Sequence, residues 1–254
     1  IRTCPIGDTP EKRRENLTGY YAAISAMDAG VGKIVDRLYE KGLMENTVII
    51  FTADNGMNLG HHGIWGKGNG TFPPNMYDSS VKVPLIICVP NNKEKGVVCH
   101  AMTSQYDIFP TILELAGCKW EQQSMQPGKS IMDILASPRK ESSERIVVYD
   151  EYGKTRMIRD RKYKYIHRYG DGECELYDME TDPDETVNLH GKEQFIDVER
   201  SLKEEMEIWF DRFTDEKKDA RKFDVKGRGQ QDLCWKKDAF NTRIEYYYPE
   251  KQKK

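Results

Sequence analysis

Five residues whose types could do chemistry, Asp54, Asn55, His61, His62 and Lys67, crowd into a short stretch of this 254-residue chain, VIIFTADNGMNLGHHGIWGKGNG, beginning at Val48. Asp54 and Asn55 come first, a carboxylate beside an amide carbonyl. Both are hard oxygen donors, of the kind that suits Ca2+ or Mg2+ better than a soft metal. Calcium takes roughly six to eight oxygens, so two donors make only part of a site. His61, His62 and Lys67 follow within a few residues. A cationic group beside a divalent ion is useful where both grip one polyanionic group, such as a sulfate or phosphate ester, and stabilise charge developing on it. A plainer reading stands beside this one. Asp-Asn-Gly is a common turn sequence, the histidines could be loop residues, and Lys67 could be a solvated surface charge. Residue types and spacing alone leave both readings open.

The surrounding pattern decides what could hold these groups. Val48 to Phe51 is an all-apolar run of the kind expected of a strand buried on both faces, and ligands bind beyond the carboxyl ends of strands in open α/β sheets. Glycines at 56, 60, 63, 66, 68 and 70 allow sharp turns and predict a site loop. Upstream, apolar positions from Leu17 to Tyr39 follow helical spacing and Gly42 is placed to stop the helix. Gly30 and Gly32 within it suggest close packing against a sheet. Downstream, Pro84 to Val89 reads as a second buried strand, and Asp107 to Leu115 as a short helix capped by Asp107. Alternation of strand and helix argues for a mostly parallel sheet with flanking helices.

The pattern changes near residue 140. Arg145–Tyr152, Thr155–Arg159, Lys162–Tyr169 and Glu173–Tyr177 are short, β-rich and separated by turns, predicting an antiparallel meander. A helix from Glu193 to Phe213 should pack on it, with a polar tail beyond Asp215. The expected division is an α/β unit over residues 1–138 and a smaller α+β unit over 139–254, divided within the polar linker Ser137–Ser143.

Composition narrows the remaining classes. A net charge of -3 supplies no field that would recruit nucleic acid, and Tyr246–Tyr248 reads as tail packing rather than a base-stacking platform. No run approaches the ~18 apolar residues of a membrane span. Six cysteines at 4, 88, 99, 118, 174 and 234 have no C-x-x-C spacing; free thiols fit best, with three bridges as the alternative. The chain opens on Ile1 rather than Met and carries no apolar signal core, which reads as a fragment and leaves the compartment undefined.

The stretch D-N-G-x-x-x-G-x-H-G-I-W-G-K-G, continuing through N-M-Y-D-S-S-V-K-V-P, closely resembles the sulfatase family of the alkaline-phosphatase-like superfamily. Residues 20–34 (YYAAISAMDAGVGKI), 42–47 (GLMENT), 106–117 (YDIFPTILELAG) and 175–189 (ELYDMETDPDETVNL) match further family landmarks. The resemblance implies that Asp54 and Asn55 bind one active-site Ca2+ or Mg2+. It implies too that Lys67 contacts the sulfate and that His62 lines the pocket, both as catalytic and substrate-binding groups. His61 receives no role, and helix capping or packing accounts for Asp28 and Asp107.

Two family features are missing from the sequence. Neither the paired N-terminal aspartates that complete the metal site nor the C-x-P-x-R or S-x-P-x-R motif, whose first residue becomes formylglycine, occurs here. Cys88-Val89-Pro90-Asn91-Asn92 lacks the Arg, and Cys4-Pro5 has the wrong spacing. No nucleophile is therefore assigned. The economical expectation is a C-terminal part of a sulfatase, acting on a sulfated small molecule or carbohydrate, inactive alone and partnered by the missing N-terminal half, which would carry the formylglycine. Two alternatives remain: a phosphodiesterase or phosphonate hydrolase relative, and a non-catalytic module binding an anionic glycan. For the module, Arg156, Arg159, Arg161, Lys162, Lys164 and Arg168 could face the sugar, or could form a solvated strand face.

Overall fold

A computed structural model describes residues 2–3, 9–121, 125–139, 145–150, 154–170, 172–219 and 221. Cys4, Cys234, Tyr246–Tyr248 and part of the expected linker lie outside these. In chain order the first elements are β1 (Arg2–Thr3), α1 (Pro10–Glu40), β2 (Ile49–Thr52), β3 (Asn58–Leu59), β4 (Trp65–Gly66) and β5 (Thr71–Phe72). Then come α2 (Asp78–Val81), β6 (Leu85–Cys88), α3 (Ile108–Leu115) and α4 (Met132–Ala136). The chain continues with β7 (Ile146–Tyr149), β8 (Thr155–Arg159), β9 (Tyr163–Arg168), β10 (Glu175–Asp178) and α5 (Ile196–Phe213).

Helix α1 starts seven residues before the apolar periodicity does, because Thr9 and Pro10 form a start signal of their own. The Lys12 amide donates to Thr9 Oγ1 at 3.3 Å, and Pro10 occupies the first turn, where its missing N–H costs nothing. Gly42, at φ 65°, ends the helix, its amide donating to the Tyr39 carbonyl and that of Leu43 to the Leu38 carbonyl, both at 2.9 Å. None of the residues of α1 is buried. Tyr21, Ile24, Met27, Ile34 and Tyr39 form an exposed apolar set, with Tyr39 at 78% exposure. Among the described residues the packing expected around Gly30 and Gly32 is not found: a Cβ at either would meet nothing within 4 Å.

The sheet carrying the site departs from expectation. β2 pairs antiparallel with β6, Ile49 opposite Cys88 and Thr52 opposite Leu85, and no parallel pair occurs among the described residues. A parallel return needs a crossover element spanning the sheet. The link here carries two-residue bridges, short 3-10 turns at His61–Gly63 and Gly68–Gly70 and the single turn of α2, but no long helix, and β6 returns beside β2. Nor are these strands buried on both faces, since all four residues of β2 are half-buried and Ile86 in β6 is exposed. Ser104, rather than Asp107, caps the approach to α3. Its hydroxyl accepts from the Tyr106 amide, and Asp107 Oδ2 accepts from the Ser104 amide at 2.8 Å.

The meander forms as expected, a four-stranded antiparallel sheet in the order β10, β9, β8, β7. Alternation along the strands divides its side chains between two faces. On one face Val147, Ile158, Tyr165 and Leu176 pack against Leu202, Met206 and Phe210 of α5, which recur every four residues and so lie on one helical stripe. Each such buried side chain contributes roughly 1.5–3 kcal/mol. On the other face Met157, Ile166 and Tyr177 pack with Ile64, Met76 and Tyr77 of the glycine-rich loop. The meander is thus the floor on which the site loop rests.

Candidate functional site

β2 delivers Asp54 and Asn55 just past its carboxyl end. The Asn55 amide donates to Asp54 Oδ1 at 2.9 Å, and Asn55 Nδ2 donates to the Gly56 carbonyl at 2.8 Å, which leaves Asn55 Oδ1 turned outward. That oxygen accepts from Lys67 Nζ at 3.1 Å. Lys67, twelve residues on from Asn55, therefore meets it at an exposed point, with Asp54 adjacent in the chain. Behind them the loop is locked by neutral polar groups. Buried Asn58 donates to the Gly66 carbonyl at 3.0 Å and to Ser80 Oγ at 2.6 Å. Ser80 donates to Asn75 Oδ1 at 2.6 Å, and Asn75 Nδ2 donates to the Gly68 carbonyl at 3.2 Å. Buried polar groups paired this fully rigidify the backbone they join.

His62 sits in the left-handed region at φ 53°, unusual for a residue other than glycine. Its ring stacks on Tyr77, with centroids 3.8 Å apart and planes 10° from parallel. Burial, then the neighbouring His61, lowers its pKa below the ordinary imidazole value, so the ring is neutral at pH 7. His61 has a local role, its Nδ1 accepting from the Leu59 amide at 3.2 Å. No hydrogen bond joins His62 to Asp54, Asn55 or Lys67 among the described residues.

The donor chemistry fits part of a hard-cation site: one carboxylate and one outward amide oxygen. Among the described residues no group of three or more His, Cys, Asp or Glu side chains could hold a metal ion. Asp54 and Asn55 by themselves offer fewer oxygens than the roughly six to eight that calcium takes.

The basic residues of the meander turn out neither sugar-facing nor solvated for the most part. Arg156, Lys164 and Arg168 are buried. Lys164 Nζ lies 3.0 Å from Asp78 Oδ1 and 2.6 Å from Glu185 Oε1, and Arg159 also pairs with Asp78. Arg168 contacts Glu175 at 2.7 Å and donates to the Pro74 carbonyl at 3.2 Å. Arg156 pairs with Asp219 at 3.2 Å and lies over the Phe210 ring. Sequence reasoning missed this ionic layer and the Tyr77 stack. The only signal was the odd placement of Lys164 and Arg168 among apolar strand positions.

Cys88, Cys99, Cys118 and Cys174 are free thiols. No helix among the described residues is long and apolar enough to cross a membrane.

Comparison with known proteins places the chain in a family. The family described as N-sulphoglucosamine sulphohydrolase, C-terminal, matches residues 60–211, more than half of the chain. The chain belongs to the sulfatase family, and the matched region is the family's C-terminal portion. It is similar to an N-acetylglucosamine-6-O-sulfatase of Bacteroides thetaiotaomicron, 31% identical over 77% of this chain and 36% of the relative. A choline-sulfatase of Rhizobium meliloti is 32% identical over 71% of this chain and 34% of the relative. The chain thus spans little more than a third of the length of these relatives. A solved structure in complex with its substrate D-glucosamine-2-N,6-O-disulfate superposes with a TM-score of 0.71 at 28% identity, covering 82% of this chain and 43% of that one. The phosphonate monoester hydrolase of Agrobacterium radiobacter superposes with a TM-score of 0.67 at 25% identity, over 81% of this chain and 43% of that one.

Proposed function

We propose that this chain supplies the Asp54, Asn55 and Lys67 corner of a sulfuric ester hydrolase site, with the nucleophile on a segment outside its sequence. The observation that carries the reading is the Lys67 Nζ to Asn55 Oδ1 contact at 3.1 Å, at the carboxyl end of β2. It supports a reading in which the ammonium group and a hard cation held by Asp54 and Asn55 share one anionic oxygen. A Ca2+ or Mg2+ ion there would act as a Lewis acid on a sulfuryl oxygen. Lys67 contributes a fixed positive charge to the same group. His62, neutral and held flat against Tyr77, presents a hydrogen-bonding edge to the pocket rather than a charge.

Two features support a segment beyond this sequence. The C/S-x-P-x-R motif and the paired aspartates do not occur in it, and among the described residues the apolar set along α1 stays exposed. A missing N-terminal half bearing formylglycine would provide the first and cover the second. Similarity to the glucosamine-directed relatives makes a sulfated amino sugar the first substrate to try.

The test is Ca2+-dependent binding of inorganic sulfate by the chain, followed by titration calorimetry. Lys67→Met removes one charge-assisted contact of about 1.5–3 kcal/mol, so affinity should fall by about tenfold or more. Asp54→Ala should abolish the calcium dependence. Sulfate binding indifferent to Lys67 would sink the clamp, and sustained aryl sulfate hydrolysis by the chain itself would refute an external nucleophile. A phosphonate hydrolase reading is favoured by the Agrobacterium structure; preference for phenylphosphonate over sulfate in the same titration would select it.

A further inference from the structure

We infer that Glu185, together with Lys164, is a positioning residue that sets the plane of His62 through Tyr77; this rests on the proposed anion pocket only for its functional consequence. The starting observation is a buried carboxylate in a strained place. Glu185 lies in the turn after β10 with φ 55°, a conformation costing of order 1–3 kcal/mol for a non-glycine residue. Its side chain is nonetheless driven inward, to 3% exposure, where an unpaired charge would be untenable. Oε2 accepts from the Asp78 amide at 2.6 Å, and Oε1, buried without a hydrogen bond, is ion-paired with Lys164 Nζ at 2.6 Å.

The Asp78 amide is one peptide unit from Tyr77, whose ring carries His62. Lys164 holds the Asp78 carboxylate as well, so the backbone at residues 77–78 is gripped from the amide and from the side chain together. The far edge of the Tyr77 ring is set by Tyr177, centroids 6.2 Å away, and Tyr177 donates to Glu175 Oε2 at 2.9 Å. No hydrogen bond to another group restrains the His62 ring among the described residues. Its plane therefore depends on the Tyr77 stack, and the stack depends on where Glu185 holds the chain. The charged groups acting on His62 are His61, Glu175, Lys164 and Asp182, which couples the imidazole to the same layer.

The experiment is NMR on the full 254-residue chain, following contacts between the His62 and Tyr77 ring protons, with inorganic sulfate titrated as the probe. Glu185→Met removes both interactions at similar volume. It is expected to erase the His62–Tyr77 ring contacts and to weaken sulfate binding about tenfold, the scale seen when a supporting partner behind a ligand is lost. Methyl signals of Val147, Ile158 and Leu202, on the far face of the sheet, should stay in place. Glu185→Gln keeps an acceptor for the Asp78 amide and should retain the stack. If Glu185→Met does not fold, Tyr77→Leu reads the link from its other end: a displaced His62 and weaker sulfate binding support the inference, and an unchanged His62 overturns it. Ring contacts that survive Glu185→Met in a folded chain also overturn it. If the wild-type chain ignores sulfate while His62 responds to Glu185→Met, the positioning role stands and the sulfatase site assignment fails.

Discussion

Replacing Lys164 by methionine would show how the site loop is fastened to the meander. The lysine is fully buried, with Asp78 at 3.0 Å and Glu185 at 2.6 Å. Methionine fills most of the space of the aliphatic stem, so the loss is chiefly of charge. Asp78 keeps Arg159 as partner, whereas Glu185 is left with no counter-charge. Breaking one side of a buried pair costs about 3–5 kcal/mol, and that is the loss expected near pH 7. The pH dependence identifies the cause. Burial already raises the Glu185 pKa, with Lys164 opposing the rise, and without the lysine it climbs further. A carboxyl whose folded-state pKa lies above its unfolded value is stabilised by taking up a proton. The penalty must therefore shrink as pH falls, by at most about 1.4 kcal/mol per pH unit. Urea unfolding of both chains near pH 7 and near pH 5 measures it, and Lys164→Met with Glu185→Leu should recover most of the loss. A deficit under about 1 kcal/mol, or one equal at both pH values, would refute the reasoning.

Two further outcomes are expected. At Gly56 an added Cβ would lie 2.2 Å from the Ser79 carbonyl oxygen, against a backbone that already accepts the Gly56 amide at the Ser80 carbonyl. Gly56→Ala should destabilise the chain by about 1–3 kcal/mol and disturb the adjacent Asp54 and Asn55, read as weakened calcium binding; an unaffected calcium isotherm would count against the close packing. His167, with Tyr165 Oη at 2.8 Å and Cys174 Sγ at 3.3 Å from its Nδ1, has its pKa pushed down to about 4, by burial first and then by Lys203. The unfolded chain takes up this proton first, so stability should be lost as pH falls from about 6.5 to about 4. NMR should find His167 neutral at pH 5.5, and a midpoint near the free value would rule out the buried neutral ring.

The elements that could be read from sequence are those whose signal is local. The meander and α5 follow from period-2 and period-4 patterns, and their sequence spans hold to within a few residues. Glycine density predicted a site loop after β2, but the contact of Lys67 with Asn55 within it emerges only from the structure. What was not legible depends on partners distant in the chain. Asp78 meets Arg159, Lys164 and Glu185 across gaps of more than 80 residues, and nothing local in any of these segments signals the meeting. The strand direction failed for a related reason. Apolar runs at 48–51 and 84–89 imply strands but carry no information on hand or neighbour. The connection between them holds no long crossover helix, and β6 pairs antiparallel with β2. The helical spacing of the apolar positions in α1 was legible, yet among the described residues none of that helix is buried.

The two-sided use of the meander has a bearing on how inherited or engineered changes would present. Neighbouring positions on one strand, Met157 and Ile158, belong to different mechanical circuits: the first presses on the loop that carries His62, the second on α5. A shrunken side chain at the first position would surface as a well-expressed protein with a slack pocket, and one at the second as a poorly accumulating protein whose surviving molecules are sound. Odd and even residues of a single strand would thus sort into separate phenotypes, distinguishable by comparing abundance with specific function.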